Sequence, residues 1–161
     1  MPEPTVAQQL VSLARAASRS AEALGRALVV IDEDEWQDLL RQTYPERVEL
    51  FEMCVRCLVA GDTSPTTIRD ALRQDVTAAT PDREGCIDEV LTTELVLETE
   101  LQRTLQREEW ADVRMPDLLA LHLLRSQGFR RESLTLAETE APELGVLVAG
   151  ARQHSPSRLA A

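Results

Sequence analysis

Two cysteines three residues apart, Cys54 and Cys57 in "MCVRCLVA", are the nearest approach to a chemical motif in the chain. Such a pair can supply half of a tetrahedral zinc site, or work as a redox dithiol where a helix N-terminus lowers a thiol pKa. Zinc needs about four ligands. The other donors of that kind, Cys86, His122 and His154, form neither a second Cys-x-x-Cys nor a paired-His spacing. A redox pair would sit where a strand gives way to a helix, whereas this one falls inside the apolar run Val48, Leu50, Phe51, Met53, Val55, Leu58 and Val59. That run covers most of a helix's circumference and leaves only Glu49, Glu52 and Arg56 as a polar wedge. Both thiols are therefore read as small hydrophobes in a core helix, about 60° apart on its surface.

Glu94 and Glu98 raise a second question. With Glu94 at zero on a helical wheel, Ile87, Val90, Leu91, Leu101 and Leu105 all fall within about 60° of it. Two carboxylates inside an apolar stripe are expensive to bury unless a cation meets them. Arg residues of a neighbouring helix are one source. A divalent metal is the other, which makes Glu94 and Glu98 weak metal candidates, although no His follows a Glu by three as in di-iron bundles. Together with Glu109 and Asp112 they give an acidic set that resembles the all-helical nucleotide pyrophosphohydrolases. That resemblance would imply a Mg²⁺ or Mn²⁺ hydrolase with acidic motifs on two facing helices, whereas here both sets fall on one predicted helix. His122, in "LLALHLL", has leucines at every helical angle and reads as a neutral core histidine. No Ser or Cys nucleophile sits in a recognisable turn, so no catalytic residue is assigned.

Two stretches have the order of interaction modules. Residues 48–78 give a helix, Gly61 and a second helix in the manner of a helix-turn-helix, with Thr66, Thr67, Arg69 and Arg73 near the start of the reading helix, but Asp62, Asp70 and Asp75 oppose DNA. "LLALHLLRSQGFRRESLTLAETE" has a helix-Gly-aromatic-helix order similar to the LisH dimerisation motif, over less than a sixth of the chain. In that order a Leu-rich helix ends at Gly128-Phe129 and a second Leu-bearing segment follows.

The elements that must position these residues follow from periodicity and caps. Val6, Leu10, Leu13, Ala17, Leu24 and Leu28 mark an amphipathic helix from Thr5 to about Leu28. Asp32 and Glu35 have capping-box spacing before a short helix to about Gln42; Thr43, Pro45 and Gly61 frame another from Tyr44 to Ala60. Ser64-Pro65 starts a fourth, with Ile68, Leu72 and Val76 on one edge. Thr80 and Pro81 open a long one to about Trp110, and Met115-Pro116 opens one closed by Gly128. A last helix is expected from Pro142 to about Gln153. "SLTLA" at 133–137 alternates like a strand but is too isolated to found a sheet.

The expected architecture is an all-α bundle of six or seven helices around the 44–60 helix, as one domain over 1–152 with a short flexible tail at 153–161. Net charge is −11, and the chain has no Lys and no Asn. The charge disfavours nucleic acid and anionic lipid as partners; the missing lysine excludes P-loop and Schiff-base chemistry. No apolar run reaches the roughly 18 residues of a membrane span. Three cysteines in 161 residues suggest a reducing compartment, and the expected location is cytoplasmic. No cofactor is called for. What the pattern offers instead is apolar helical surface in excess of one core: Leu91, Leu95, Leu101, Leu118 and Leu121 are the expected interaction residues. The reading is a non-enzymatic helical protein that binds a protein partner, including itself. In such a homo-oligomer Glu94 and Glu98 would meet Arg103 or Arg107 of the partner subunit.

Overall fold

The computed structural model describes residues 2–73 and 81–140, and these are all-helical: α1 (Val6–Val30), α2 (Asp34–Ala60), α3 (Pro65–Leu72), α4 (Arg83–Leu105) and α5 (Met115–Glu140). The all-α class holds, with five helices among the described residues. Thr5 starts α1 through a capping box: its hydroxyl accepts from the Gln8 amide at 3.1 Å, and the Gln8 side chain accepts from the Thr5 amide at 2.8 Å. Ser64 caps α3 by accepting from the Thr67 amide, with Pro65 at the first helical position.

Where the boundaries differ from expectation, a buried stripe overrode a local signal. The two helices expected over 32–42 and 44–60 are one rod, because Trp36, Leu39, Leu40, Thr43, Arg47, Leu50, Cys54 and Leu58 keep helical spacing through Pro45. Pro45 is exposed, so the carbonyl it leaves unbonded, on exposed Arg41, lies toward water. Glu33 rather than Asp32 precedes this rod, and no side chain caps it. Nor is the 44–60 stretch the centre of the bundle, since Val59 remains 52% exposed. α4 starts two residues after Pro81: Asp82 is its cap and accepts from the Gly85 amide at 2.8 Å. It ends at Leu105, short of Trp110, which turns back to pack on the core. An extension would have placed Glu108 and Glu109 at the negative end of the helix dipole.

α5 runs straight through Gly128, so the helix end expected there is absent, and Ser133 to Ala137 are helical rather than extended. Its buried residues, Met115, Leu119, His122, Ser126, Phe129, Ser133 and Ala137, recur at three and four, and Gly128 is off that stripe. The helix expected at 142–153, the tail, Val76 and Thr80 lie outside the described residues.

Cross-helix bonds set the topology. Arg26 meets Glu89, Ser20 meets Glu94 and Gln9 meets Thr104, so α4 is antiparallel to α1, as α2 is after its three-residue link. Arg125 meets Glu46 and Glu49, which fits α5 antiparallel to α2. The long helices thus form a ring in the order α1, α2, α5, α4, with α3 against the α1–α2 end.

Two apolar clusters fill it. One gathers Leu10, Leu13, Ala17, Leu50, Cys54, Leu58, Leu97, Leu101 and Leu119; the other gathers Leu24, Ile31, Trp36, Leu40, Ile87, Val90 and Phe129. Burial of this apolar surface is the main driving force for folding.

Candidate functional site

Between the two apolar clusters the bundle carries a polar layer. Glu94 of α4 and Arg47 of α2, both 0% exposed, meet across the ring's diagonal. Arg47 Nε donates to Glu94 Oε2 at 3.2 Å and Nη2 donates to Oε1, a two-point pairing that matches guanidinium to carboxylate. Ser20 of α1 donates its hydroxyl to the same Oε2 at 2.9 Å. From α5, Phe129 places its ring 5.8 Å from the guanidinium carbon, so the cation also lies against a π face. Every helix of the ring therefore contributes one group to this cluster. Arg47 Nη1 makes no hydrogen bond among the described residues and lies 3.6 Å from a carboxylate oxygen of Glu46.

Glu98, one turn further along α4, is held by Arg130 of α5, whose Nη2 donates to Oε1 at 3.2 Å. The Arg130 Nε and Glu98 Oε2 are 2.8 Å apart without the alignment of a hydrogen bond. Both carboxylates are thus neutralised by arginines of the same chain, not by Arg103 or Arg107 of a partner subunit. Arg103 pairs with Glu100, and Arg107 donates to the Pro4 carbonyl. Of the remaining acidic candidates, Asp112 pairs with Arg114, and Glu109 lines a surface hollow near Pro4 and Arg103. The four acids expected for a hydrolase are not brought together. Among the described residues, no group of three or more His, Cys, Asp or Glu is placed to hold a metal ion.

His122 lies in α5 beside this layer. Burial, with Arg125 and Arg47 nearby, lowers its pKa to about 4, although Glu49 opposes the shift, so the ring is neutral at pH 7. Its Nδ1 and the hydroxyl of Ser126, one turn on, are both buried without hydrogen-bond partners among the described residues. They do not bond each other, so no nucleophile–base pair is formed. Cys54 is fully enclosed, and burial pushes its thiol up to about 12. Cys57 is half-buried at the edge of the same cluster, and desolvation raises its pKa too. Neither environment activates a thiolate.

The expected interaction residues separate into two groups. Leu101 is fully enclosed in its own core and so is not available to a partner, and Leu91 is partly buried against one of the apolar clusters. Leu95 is 52% exposed, Leu118 40% and Leu121 43%, and Leu124, absent from the expected set, is 65% exposed. In the helix-turn-helix reading, the turn is present with Asp62 at φ 62°, but α3 is eight residues long and Arg69 lies 3.7 Å from Asp70.

Sequence reasoning missed Arg47. It follows the 44–60 register, three residues before Leu50 and seven before Cys54, and that spacing puts it on the buried face. The α2–α5 seam is the loosest of the ring. A cleft of about 690 Å³ opens there between Glu35, Asp38, Leu39 and Gln42 on one side and Gly128, Arg131, Glu132 and Leu136 on the other.

Fold and site together define an all-α bundle whose core is interrupted by a neutralised, buried polar layer. Comparison of the chain with known protein families, with curated proteins and with solved structures finds no match.

Proposed function

We propose that this chain is a non-enzymatic protein-interaction module that self-associates through the outer face of α5. The observation that carries this reading is an inversion in that helix. Three of the seven residues α5 turns inward are His122, Ser126 and Ser133, while Leu118, Leu121 and Leu124 stand outward within two turns. A single exposed leucine is ordinary, but three adjacent ones on one helix face form a patch of the kind that marks a binding surface. The interior argues the same way from the other side. The polar groups nearest the chain's centre are spent on each other, with Glu94 bound by Arg47 and Ser20, and they offer no activated acid, base or nucleophile.

Covering the exposed half of each leucine is worth roughly 1 kcal/mol per residue. Association costs at least about 4 kcal/mol, so the expected assembly is weak and concentration-dependent. Sedimentation velocity over a dilution series should show a reversible shift to a larger species, lost in Leu121→Glu with the helical circular-dichroism spectrum kept. A chain that stays monomeric at every concentration would overturn the reading.

A further inference from the structure

Building on that reading, we infer that the occupant of the α5 face is α5 of a second copy, lying antiparallel across a two-fold axis at Leu121. This face of α5 is self-complementary. In an antiparallel pair centred on Leu121, each residue faces the one equally far on the other side of 121. Leu118 then meets Leu124 of the partner subunit, Leu121 meets Leu121 of the partner subunit, and Asp117 meets Arg125 of the partner subunit. On a helix at about 100° per residue, Asp117 and Arg125 lie about 40° to either side of Leu121, and Leu118 and Leu124 about 60° to either side, so all five share one face. A parallel pairing in the same register would instead oppose Asp117 to Asp117 and Arg125 to Arg125.

The charged pair is available for this. Asp117 is exposed and makes no ion pair among the described residues. Arg125 donates to Glu49 at 3.4 Å and lies 3.6 Å from Glu46, and its side chain, 32% exposed, keeps an edge toward solvent that a further acid can reach. In a chain of net charge −11, the five α5 residues of this face carry one acid and one base and so bring no net charge of their own to a second copy. Two such isologous pairs close the contact, which makes a dimer rather than an open chain.

The test is cysteine cross-linking of the full chain, with the native sequence, which already holds Cys54, Cys57 and Cys86, oxidised in parallel as the baseline. Leu121→Cys should give a covalent dimer on mild oxidation, since residues on a two-fold axis between packed helices come within the roughly 4.4–6.8 Å Cα range of a disulfide. Leu118→Cys alone should not, its two copies being offset by about 9 Å along the axis. Asp117→Arg should weaken the uncross-linked dimer roughly tenfold. A dimer that loses its association in Leu121→Glu yet gives no Leu121→Cys cross-link overturns this geometry and leaves the interaction reading standing. Self-linking of Leu118→Cys and Leu124→Cys as efficiently as Leu121→Cys would show a parallel pair and overturn it equally. A chain that never dimerises overturns both.

Discussion

Removing the Glu94 carboxylate should cost the chain a large share of its stability. In Glu94→Ala, the Arg47 guanidinium stays at 0% exposure, and its remaining partners are Glu46 at 3.6 Å and the Phe129 ring. Stranding one member of a buried ion pair costs about 3–5 kcal/mol. Ser20 loses its acceptor at the same time, which adds about 1 kcal/mol. Against a total stability of about 5–15 kcal/mol, that is a third or more of what holds the fold. At about 2–4 °C per kcal/mol for a domain of this size, the midpoint should fall by roughly 10 °C or more. Urea denaturation followed by circular dichroism reads the free energy, and differential scanning calorimetry reads the midpoint. The complementary variant removes the whole cluster: Ser20→Ala, Arg47→Met and Glu94→Leu together should be within about 1 kcal/mol of the native chain or more stable, because no desolvated charge is left. A loss under about 1 kcal/mol in Glu94→Ala would refute the reasoning, since it would mean that water reaches Arg47.

Three further perturbations test other parts of the structure. His122 is neutral in the folded chain down to about pH 4 and takes up a proton in the unfolded chain below its ordinary value of 6.5. Stability should therefore fall as pH drops through that window, by roughly 2 kcal/mol at pH 5, and the urea midpoint of the His122→Leu chain should lose this slope. A thiol reagent at pH 8 should modify Cys57 first and reach Cys54 only as the fold opens, because Cys54 is enclosed with its pKa near 12; mass spectrometry of quenched time points assigns the order. A Cβ added at Gly128 meets nothing within 4 Å, so Gly128→Ala should stabilise the chain by about 0.5–1 kcal/mol, read from thermal midpoints, in a helix that continues through that position.

The helices were legible in the sequence wherever a cap and a periodic stripe agreed, as at Thr5 and at Ser64-Pro65. They were misread where Gly or Pro sat on a solvent-facing position of a longer stripe. Gly128 and Pro45 are local stop signals, yet each lies off the buried face, and the packing on that face decides the boundary. The anomaly at Glu94 and Glu98 was legible from a wheel of α4 alone. Its resolution was not, because the neutralising arginines belong to α2 and α5, and which helices lie across the ring is a property of topology. Leu101 and Leu95 show the same limit. Both belong to the apolar surface of α4, and only the placement of α1 and α5 makes one core and the other surface.

The polar layer and the outer leucines are two sides of one arrangement in α5. A helix whose inward stripe were entirely apolar could slide by a turn or rotate against its neighbours at little cost, because one leucine replaces another. Here a shift of α5 by one turn would carry Phe129 off Arg47 and Arg130 away from Glu98, leaving the buried Glu98 carboxylate unmatched. The layer therefore fixes which face of α5 points inward, much as a single polar core residue fixes register in a coiled coil. By fixing the inward face it also fixes the outward one. Disrupting Glu98 with Arg130 kept should accordingly weaken the proposed self-association even though neither residue lies on the leucine face, because α5 would lose the constraint that presents Leu118, Leu121 and Leu124 together. Sedimentation of Glu98→Gln beside Leu121→Glu decides the matter: unchanged association in a folded Glu98→Gln chain would show that apolar packing alone orients the helix.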